Sequence, residues 1–106
     1  MKPLILIALL TATTLCFAEM PVFELHIKDH QFNPVHLEIP AGVKVKLLVK
    51  NHDPTPEEFE SHDLNREKII PGNSEAVVYV GPLDPGTYGF FGEFNMNTAQ
   101  GKLTAK

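Results

Sequence analysis

Residues 22–50 read VFELHIKDHQFNPVHLEIPAGVKVKLLVK, and apolar and polar side chains alternate through much of this segment. In residues 22–28 the apolar side chains of Phe23, Leu25 and Ile27 fall on one side of an extended chain, and polar side chains fall on the other. Residues 35–39 and 43–49 repeat the pattern on either side of a Pro-Ala-Gly turn. A period of two residues is typical of a β-strand with one buried face, so the segment predicts three strands.

The rest of the chain continues as short extended segments separated by turn residues. Residues 51–56 read NHDPTP, and two prolines without N–H donors predict a loop there. An extended segment follows from Glu57, and residues 75–80, 87–94 and 101–105 are predicted strands, the last two joined by residues 95–100. The chain is therefore predicted to be all-β, an antiparallel sandwich or barrel of about seven strands.

The composition limits the functions that are open to the chain. Its 106 residues suffice for one domain, and 13 Asp+Glu against 9 Lys+Arg give a formal net charge of −4. No basic run is present to contact phosphate backbones, so no nucleic-acid partner is expected. The sequence also lacks the motifs of serine hydrolases, zinc proteases and phosphate-binding loops, so an enzyme is not the favoured interpretation.

The first 18 residues have the organisation of a secretory signal peptide. Lys2 provides a positive charge, residues 4–10 (LILIALL) form a short apolar core, and small residues lead to a cleavage site after Ala18. An uncleaved anchor and a lipoprotein modified at Cys16 are the alternatives. We therefore expect a signal peptide at residues 1–18, a single domain at residues 19–106, and localisation in the periplasm. Since Cys16 is the only cysteine, the exported domain would contain no thiol.

The segment from Glu57 to Asp63 (EEFESHD) places four carboxylates and one imidazole within seven residues. In an extended chain Glu58, Glu60 and His62 share one face, with Phe59 on the opposite face. One interpretation is a solvated acidic edge strand, whose charges discourage pairing with other chains. The other is a metal site, which His30, Glu93 and Met96 could extend. Carboxylate and imidazole donors with an optional thioether suit copper, iron or manganese better than a structural zinc cage.

Several segments together resemble a known family. They include HIKDHQFNP from His26, IPAG from Ile39, EEFESHDLNREK from Glu57, PGTY from Pro85 and FFGEFNMNTAQG from Phe90. This set resembles the EfeO-type cupredoxin-like domains, periplasmic proteins of ferrous iron uptake systems. The resemblance covers nearly all of residues 19–106, and it implies a Greek-key β-sandwich with a metal site at one end. In blue-copper members a cysteine stands where this chain has Gly92-Glu93. The resemblance therefore implies a cupredoxin that is not a blue-copper electron carrier.

These observations predict a periplasmic metal-binding protein that assists ferrous iron uptake by supporting iron oxidation or delivery. The predicted ligands of a copper or iron ion are Glu60, His62 and Glu93, with His30 and Met96 as additions. The expected partner is an inner-membrane iron permease or another periplasmic component of iron transport, and a homodimer that completes the coordination is compatible with the sequence. The alternative is a metal-free interaction module that docks to a membrane transporter or periplasmic partner through residues 57–67.

Overall fold

The computed structural model describes Pro3 and residues 19–106, and the predicted signal peptide lies almost wholly outside the described residues. Residues 19–106 contain nine strands. They are β1 (Val22–Lys28), β2 (Gln31–Asn33), β3 (His36–Ile39), β4 (Val45–Asn51), β5 (Glu57–Ser61), β6 (Arg66–Ile70), β7 (Ser74–Val80), β8 (Gly86–Gly92) and β9 (Gln100–Ala105). One turn of 3-10 helix, Glu93–Asn95, follows β8. No helix within the described residues is long and apolar enough to cross a membrane.

The strands form two sheets that pack face to face. One sheet has four strands in the order β2-β1-β4-β7, and the other has five in the order β3-β9-β8-β5-β6. β2 and β3 are consecutive along the chain, yet they belong to different sheets, so the chain crosses from one sheet to the other between them. The predicted all-β Greek-key sandwich is therefore confirmed.

Three details of the architecture differ from the prediction. β2 and β6, for which no strand was predicted, raise the number of strands from about seven to nine. Two pairings, β1 with β4 and β3 with β9, are parallel, so the sandwich is mixed. β8 ends at Gly92 instead of residue 94, where the chain turns into the 93–95 helix.

A two-residue turn joins β1 to β2. Asp29 and His30 both have positive φ values, 52° and 57°, as a tight turn matched to the twist of its strands requires. The Asp53 carboxylate accepts hydrogen bonds from the backbone N–H groups of both residues, at 2.8 and 2.9 Å. A side chain from the loop after β4 therefore stabilises a turn that the local sequence does not strongly favour.

The core is formed by the inward-facing side chains of both sheets. Phe32, Phe59 and Phe90 form an aromatic cluster, with ring centroids 5.0 to 6.2 Å apart. Phe59 is fully buried and lies on β5, between β8 and β6. β5 is therefore an inner strand, and the interpretation of its acidic segment as an edge strand is wrong.

Candidate metal centre

The side chains of β5 alternate between the core and the outer surface of the five-stranded sheet. Glu57, Phe59 and Ser61 are buried, whereas Glu58 and Glu60 are only partly buried and point outward. The large apolar side chain of Phe59 must enter the core, and the two-residue period then places its neighbours outside. This arrangement confirms the predicted opposition of Phe59 to Glu58 and Glu60.

Glu57 is a buried carboxylate that fastens the helical turn after β8 to β5. Its Oε1 accepts hydrogen bonds from the backbone N–H groups of Glu58 (3.0 Å) and Phe94 (2.9 Å). Its Oε2 accepts a hydrogen bond of 2.7 Å from Asn95 Nδ2. Since Phe94 and Asn95 directly follow Glu93, these bonds determine where Glu93 lies relative to β5.

Gly92 allows the close approach that this arrangement needs. A Cβ atom at position 92 would lie 2.6 Å from Glu57 Cδ and 2.7 Å from Ala99 Cβ, closer than real side chains come. The backbone N–H of Gly92 donates to the carbonyl of Ala99 at 2.8 Å and closes the loop. Only glycine fits between the buried carboxylate and this loop.

Three outward carboxylates converge at the end of β5. Glu58, Glu60 and Glu93 each offer an oxygen atom, and these atoms lie within 4.8 Å of one another. A fourth acid, Glu67 on β6, lies directly opposite Glu60 across the strand pair. Glu60 Oε2 is buried and receives no hydrogen bond from the described residues. A buried acceptor without a donor costs free energy, so the cluster has an unsatisfied demand for a proton or a cation.

The protonation of the three carboxylates reflects their crowding. A proton shared with Glu93, partial burial and the nearby negative charges raise the pKa of Glu58 to about 7. The pKa of Glu60 is also raised, first because its protonated form donates a hydrogen bond to Glu93 and then because of burial. The nearby His62 opposes the shift. The pKa of Glu93 is lowered because its carboxylate accepts hydrogen bonds from the protonated forms of Glu60 and Glu58. Three like charges this close are therefore not all ionised near neutral pH without a counterion.

The structure brings together two of the five predicted ligands and places the others nearby. Glu60 and Glu93 belong to the carboxylate cluster. His62 lies one residue beyond β5, and its ring packs against Phe91 with centroids 5.4 Å apart. His30 Nδ1 is 3.6 Å from Asp53 Oδ2, and the exposed Met96 shares a surface cavity with His30 and Glu93. As metal ligands, all five residues remain predictions.

Glu58 was not among the predicted ligands, and no role was predicted for Glu57. The alternation around Phe59 already placed Glu58 on the face of Glu60, so Glu58 was within reach of sequence reasoning. Glu57 was not, because a carboxylate that faces the core has no distinctive sequence pattern. Its partners, Phe94 and Asn95, are 37 and 38 residues away along the chain.

The sequence matches one family description over almost its entire length. A family model described as a cupredoxin-like domain matches residues 3–105. This chain is a member of the cupredoxin-like family. It is also 49% identical over 75 residues to an uncharacterized protein of Rickettsia prowazekii (strain Madrid E). The match covers 71% of this chain and only 60% of that relative.

Solved structures of copper proteins share the fold of this cupredoxin-like domain. The metal-binding domain of a Cu(I)-exporting P-type ATPase from Streptococcus pneumoniae D39, solved with Cu(I), superimposes with a TM-score of 0.71 and 16% identity, over 80% of this chain and 84% of that one. The solution structure of a copper-binding protein in the apo form gives 0.70 at 20% identity, over 80% and 86%. Auracyanin A, a blue copper protein from Chloroflexus aurantiacus, gives 0.68 at 16% identity, over 80% and 98%. At these identities the likeness establishes the fold.

The donor atoms of this cupredoxin-like domain differ from those of a blue-copper centre. Blue copper requires a thiolate, and residues 19–106 contain no cysteine. The cluster instead offers carboxylate oxygens, with the imidazole of His62 close by. Oxygen and imidazole donors fit iron, manganese or copper(II), and a cation at this place would satisfy the buried oxygen of Glu60 that receives no hydrogen bond.

Proposed function

We propose that this cupredoxin-like domain is of the EfeO type and that it binds iron or copper in the periplasm, in the service of a ferrous iron uptake system. The carboxylates of Glu58, Glu60 and Glu93 would hold the ion. The observation that carries the proposal is their convergence around a buried oxygen of Glu60 that has no donor. A cation would neutralise the repulsion and supply the missing partner.

The donor set favours a hard or borderline ion over a soft one. Carboxylates stabilise the oxidised state of iron or copper more than the reduced state, because their fixed negative charge attracts the more highly charged ion. His62 opposes the raised pKa of Glu60, which comes first from Glu93 and burial, and it adds to the lowered pKa of Glu93, which comes first from Glu60 and Glu58, so His62 lies close enough to act on the cluster. In this proposal the carboxylates bind and orient the ion, and His62 adds a nitrogen donor after a rotation of its side chain.

Delivery of the ion to a transporter is the second part of the proposal. The cluster lies on the outer face of the sheet and not inside the sandwich, so a partner protein could reach the ion without unfolding the domain. Glu93 is exposed, and the neighbouring Phe94 and Met96 expose half of their surface. We propose that an inner-membrane iron permease or another periplasmic component of iron transport contacts this end, where a second copy of the chain could also complete the coordination.

Metal titration of the exported form of the protein tests the site. Iron(II), iron(III) and copper(II) are titrated by calorimetry into the wild type and into Glu60→Gln and Glu93→Gln variants. Each substitution should weaken binding at the carboxylate site by about tenfold or more, because a ligand and its charge are lost. Asp84→Asn is the matched control, since Asp84 is exposed and precedes β8, at the end of that strand away from Glu93.

The titration also distinguishes the alternative function. A metal-free interaction module would show no gain in thermal stability with any of these ions, whereas a protein that binds the ion only when folded must become more stable. Wild-type affinity in both the Glu60 and Glu93 variants would refute the carboxylate site.

A further inference from the structure

A pair of histidines faces outward on the four-stranded sheet, away from the carboxylate cluster. His26 lies on β1, and His52 directly follows β4, the parallel neighbour of β1. The two imidazoles approach with His26 Nδ1 2.8 Å from His52 Nε2. The main-chain N–H of His52 donates to the carbonyl of Ile27 at 2.8 Å, so the backbone at both positions is held in register.

The two rings meet edge to edge. Their centroids are 5.1 Å apart and their planes differ by only 11°. The centroid separation exceeds the nitrogen–nitrogen distance by about two ring radii, so the two nitrogens lie between the ring centres. The lone pair of one imidazole therefore points at the nitrogen of the other, with a single proton between them.

The carboxylate of Glu24 selects the tautomer of His26. Glu24 Oε2 lies 3.2 Å from His26 Nε2, and Oε1 accepts from Lys50 Nζ at 2.9 Å. The ion pair with Lys50 holds the carboxylate of Glu24 beside His26. An Nε2–H that donates to Glu24 leaves the Nδ1 lone pair of neutral His26 directed at His52. A carboxylate behind the far nitrogen of a histidine is the usual support of a metal-binding imidazole.

We infer that His26 and His52 form a second metal site, which takes a borderline divalent cation such as copper(II), nickel(II) or zinc(II). Such an ion, with bonds of about 2 Å, holds two nitrogens roughly 3 Å apart at a bond angle near 90° and about 4 Å apart when collinear. From the observed in-line approach at 2.8 Å, each ring must turn by roughly 45° for the 90° arrangement, or the rings must separate by about 1 Å for the collinear one. For the ion to bind, the proton on His52 Nε2 moves through solvent to Nδ1, so that both rings stay neutral and each offers one nitrogen lone pair to the ion.

The surroundings of the pair favour a cation. Glu24 forms an ion pair with Lys50, and the carboxylate of Asp53 directly follows His52 along the chain. A surface cavity of about 370 Å³ opens beside His52, with Asn73 and Glu75 on its far side. This space accommodates the water molecules or exchangeable ligands that would complete the coordination of an ion held by two histidines.

The two sites differ in donors, so experiments can separate them. Copper(II) is titrated into the wild type, His26→Gln, His52→Gln and Glu60→Gln, and the number of coordinated nitrogens is read from electron paramagnetic resonance. His36→Gln is the matched control. His36 is exposed on the five-stranded sheet, and among the described residues its imidazole forms a hydrogen bond only with the hydroxyl of Thr104. Copper at the histidine pair should show two nitrogens in the wild type, in Glu60→Gln and in His36→Gln. His26→Gln and His52→Gln should each weaken this site at least tenfold.

Zinc(II) provides an independent readout without redox chemistry. The ring resonances of His26 and His52 should shift together as one equivalent of zinc is added, while those of His36 stay unchanged. Glu24→Gln keeps both imidazoles and should weaken zinc binding by roughly 10- to 100-fold through the lost support. Unchanged affinity in both histidine variants, or equal shifts at His26, His52 and His36, would overturn the inference. Loss of binding in Glu60→Gln alone would refute the histidine pair and leave the carboxylate site intact.

Discussion

Glu60 combines a proposed binding role with a cost to the folded protein. Its carboxylate lies opposite Glu67, close to Glu93, and one of its oxygens is buried without a donor. Like charges that face each other across a strand pair destabilise the sheet. A residue that is unfavourable for folding and lies in a cluster of potential ligands has the pattern of a functional residue, because stability and binding oppose each other there.

Replacement of Glu60 by glutamine should therefore raise stability and lower metal affinity. At pH 8 the metal-free Glu60→Gln protein is expected to melt at a higher temperature than the wild type, because one negative charge leaves the cluster. The same variant should bind metal about tenfold or more weakly. Differential scanning calorimetry with and without metal measures both effects, and a lower melting temperature of the metal-free variant would contradict this account.

Glu57 acts through the position of Glu93. In Glu57→Ala the backbone N–H groups of Glu58 and Phe94 lose their acceptor, and the 93–95 turn loses its attachment to β5. We expect a loss of about 3 kcal/mol in the free energy of unfolding, the cost of buried donors without partners. Metal affinity should also fall, even though the outward carboxylates remain in the sequence.

Urea denaturation and metal titration of the same Glu57→Ala sample check this prediction. Glu57→Gln is the control, since its amide oxygen can still accept from both backbone N–H groups. It should recover most of the stability and of the metal affinity. Equal losses of stability and of metal affinity in the two variants would show that the negative charge of Glu57 matters more than its hydrogen bonds.

At the level of elements, the β1–β2 hairpin depends on a side chain outside it. Asp53 is buried, and its two oxygens accept from the backbone of Asp29 and His30. Its own backbone N–H donates to Asn51 Oδ1 at 3.0 Å, so the turn and the end of β4 form one unit. The hairpin also contributes His30 and Phe32, so it links the surface near Glu93 to the aromatic core.

Replacement of Asp53 by alanine should loosen this hairpin. Two backbone donors lose a charged acceptor, and a loss of about 2 to 3 kcal/mol in the free energy of unfolding is expected. Hydrogen exchange should show faster exchange of the amides of Asp29 and His30 and little change in the amides of β9. Uniform protection loss throughout the sandwich would instead indicate that Asp53 supports the whole fold.

At the scale of the whole molecule, the carboxylates divide into two groups with opposite pH dependence. The lowered pKa of Asp53, caused first by the backbone N–H of His30, gives stability that is present above its ordinary value and lost as the pH falls through the folded pKa. The raised pKa of Glu58, about 7, has the opposite effect on the pH dependence of stability. Its folded form binds more protons than the unfolded chain between about pH 4.5 and 7, so stability falls as the pH rises through that window.

The metal-free protein should therefore be most stable at mildly acidic pH, near the lower end of the Glu58 window, and less stable at pH 8. Metal binding should show the opposite trend, because the ion displaces the proton of Glu58. Affinity at the carboxylate site is expected to increase up to about pH 7 and then level off. Melting temperatures and calorimetric titrations from pH 4 to 9 measure both curves, and Glu58→Gln should flatten both of them.

The comparison of sequence and structure shows which features are local. The alternation of apolar and polar residues in β1, β4 and β5 predicted the strands and the outward direction of Glu60, because a strand with one buried face has a sequence period of two residues. The parallel pairing of β1 with β4 is a property of the whole topology and has no local pattern. The convergence of Glu60 with Glu93 was predicted only through their residue types, because the contact depends on the hydrogen bonds of Glu57.

The tight packing around Gly92 also limits what this scaffold can become. A thiol introduced at position 92 would collide with the carboxyl group of Glu57 and with Ala99. An engineered Gly92→Cys protein would thus have to remodel the loop before its sulfur could reach any ion. A cysteine at this position therefore gives no route to an electron carrier unless Glu57 or the loop that contains Ala99 changes with it.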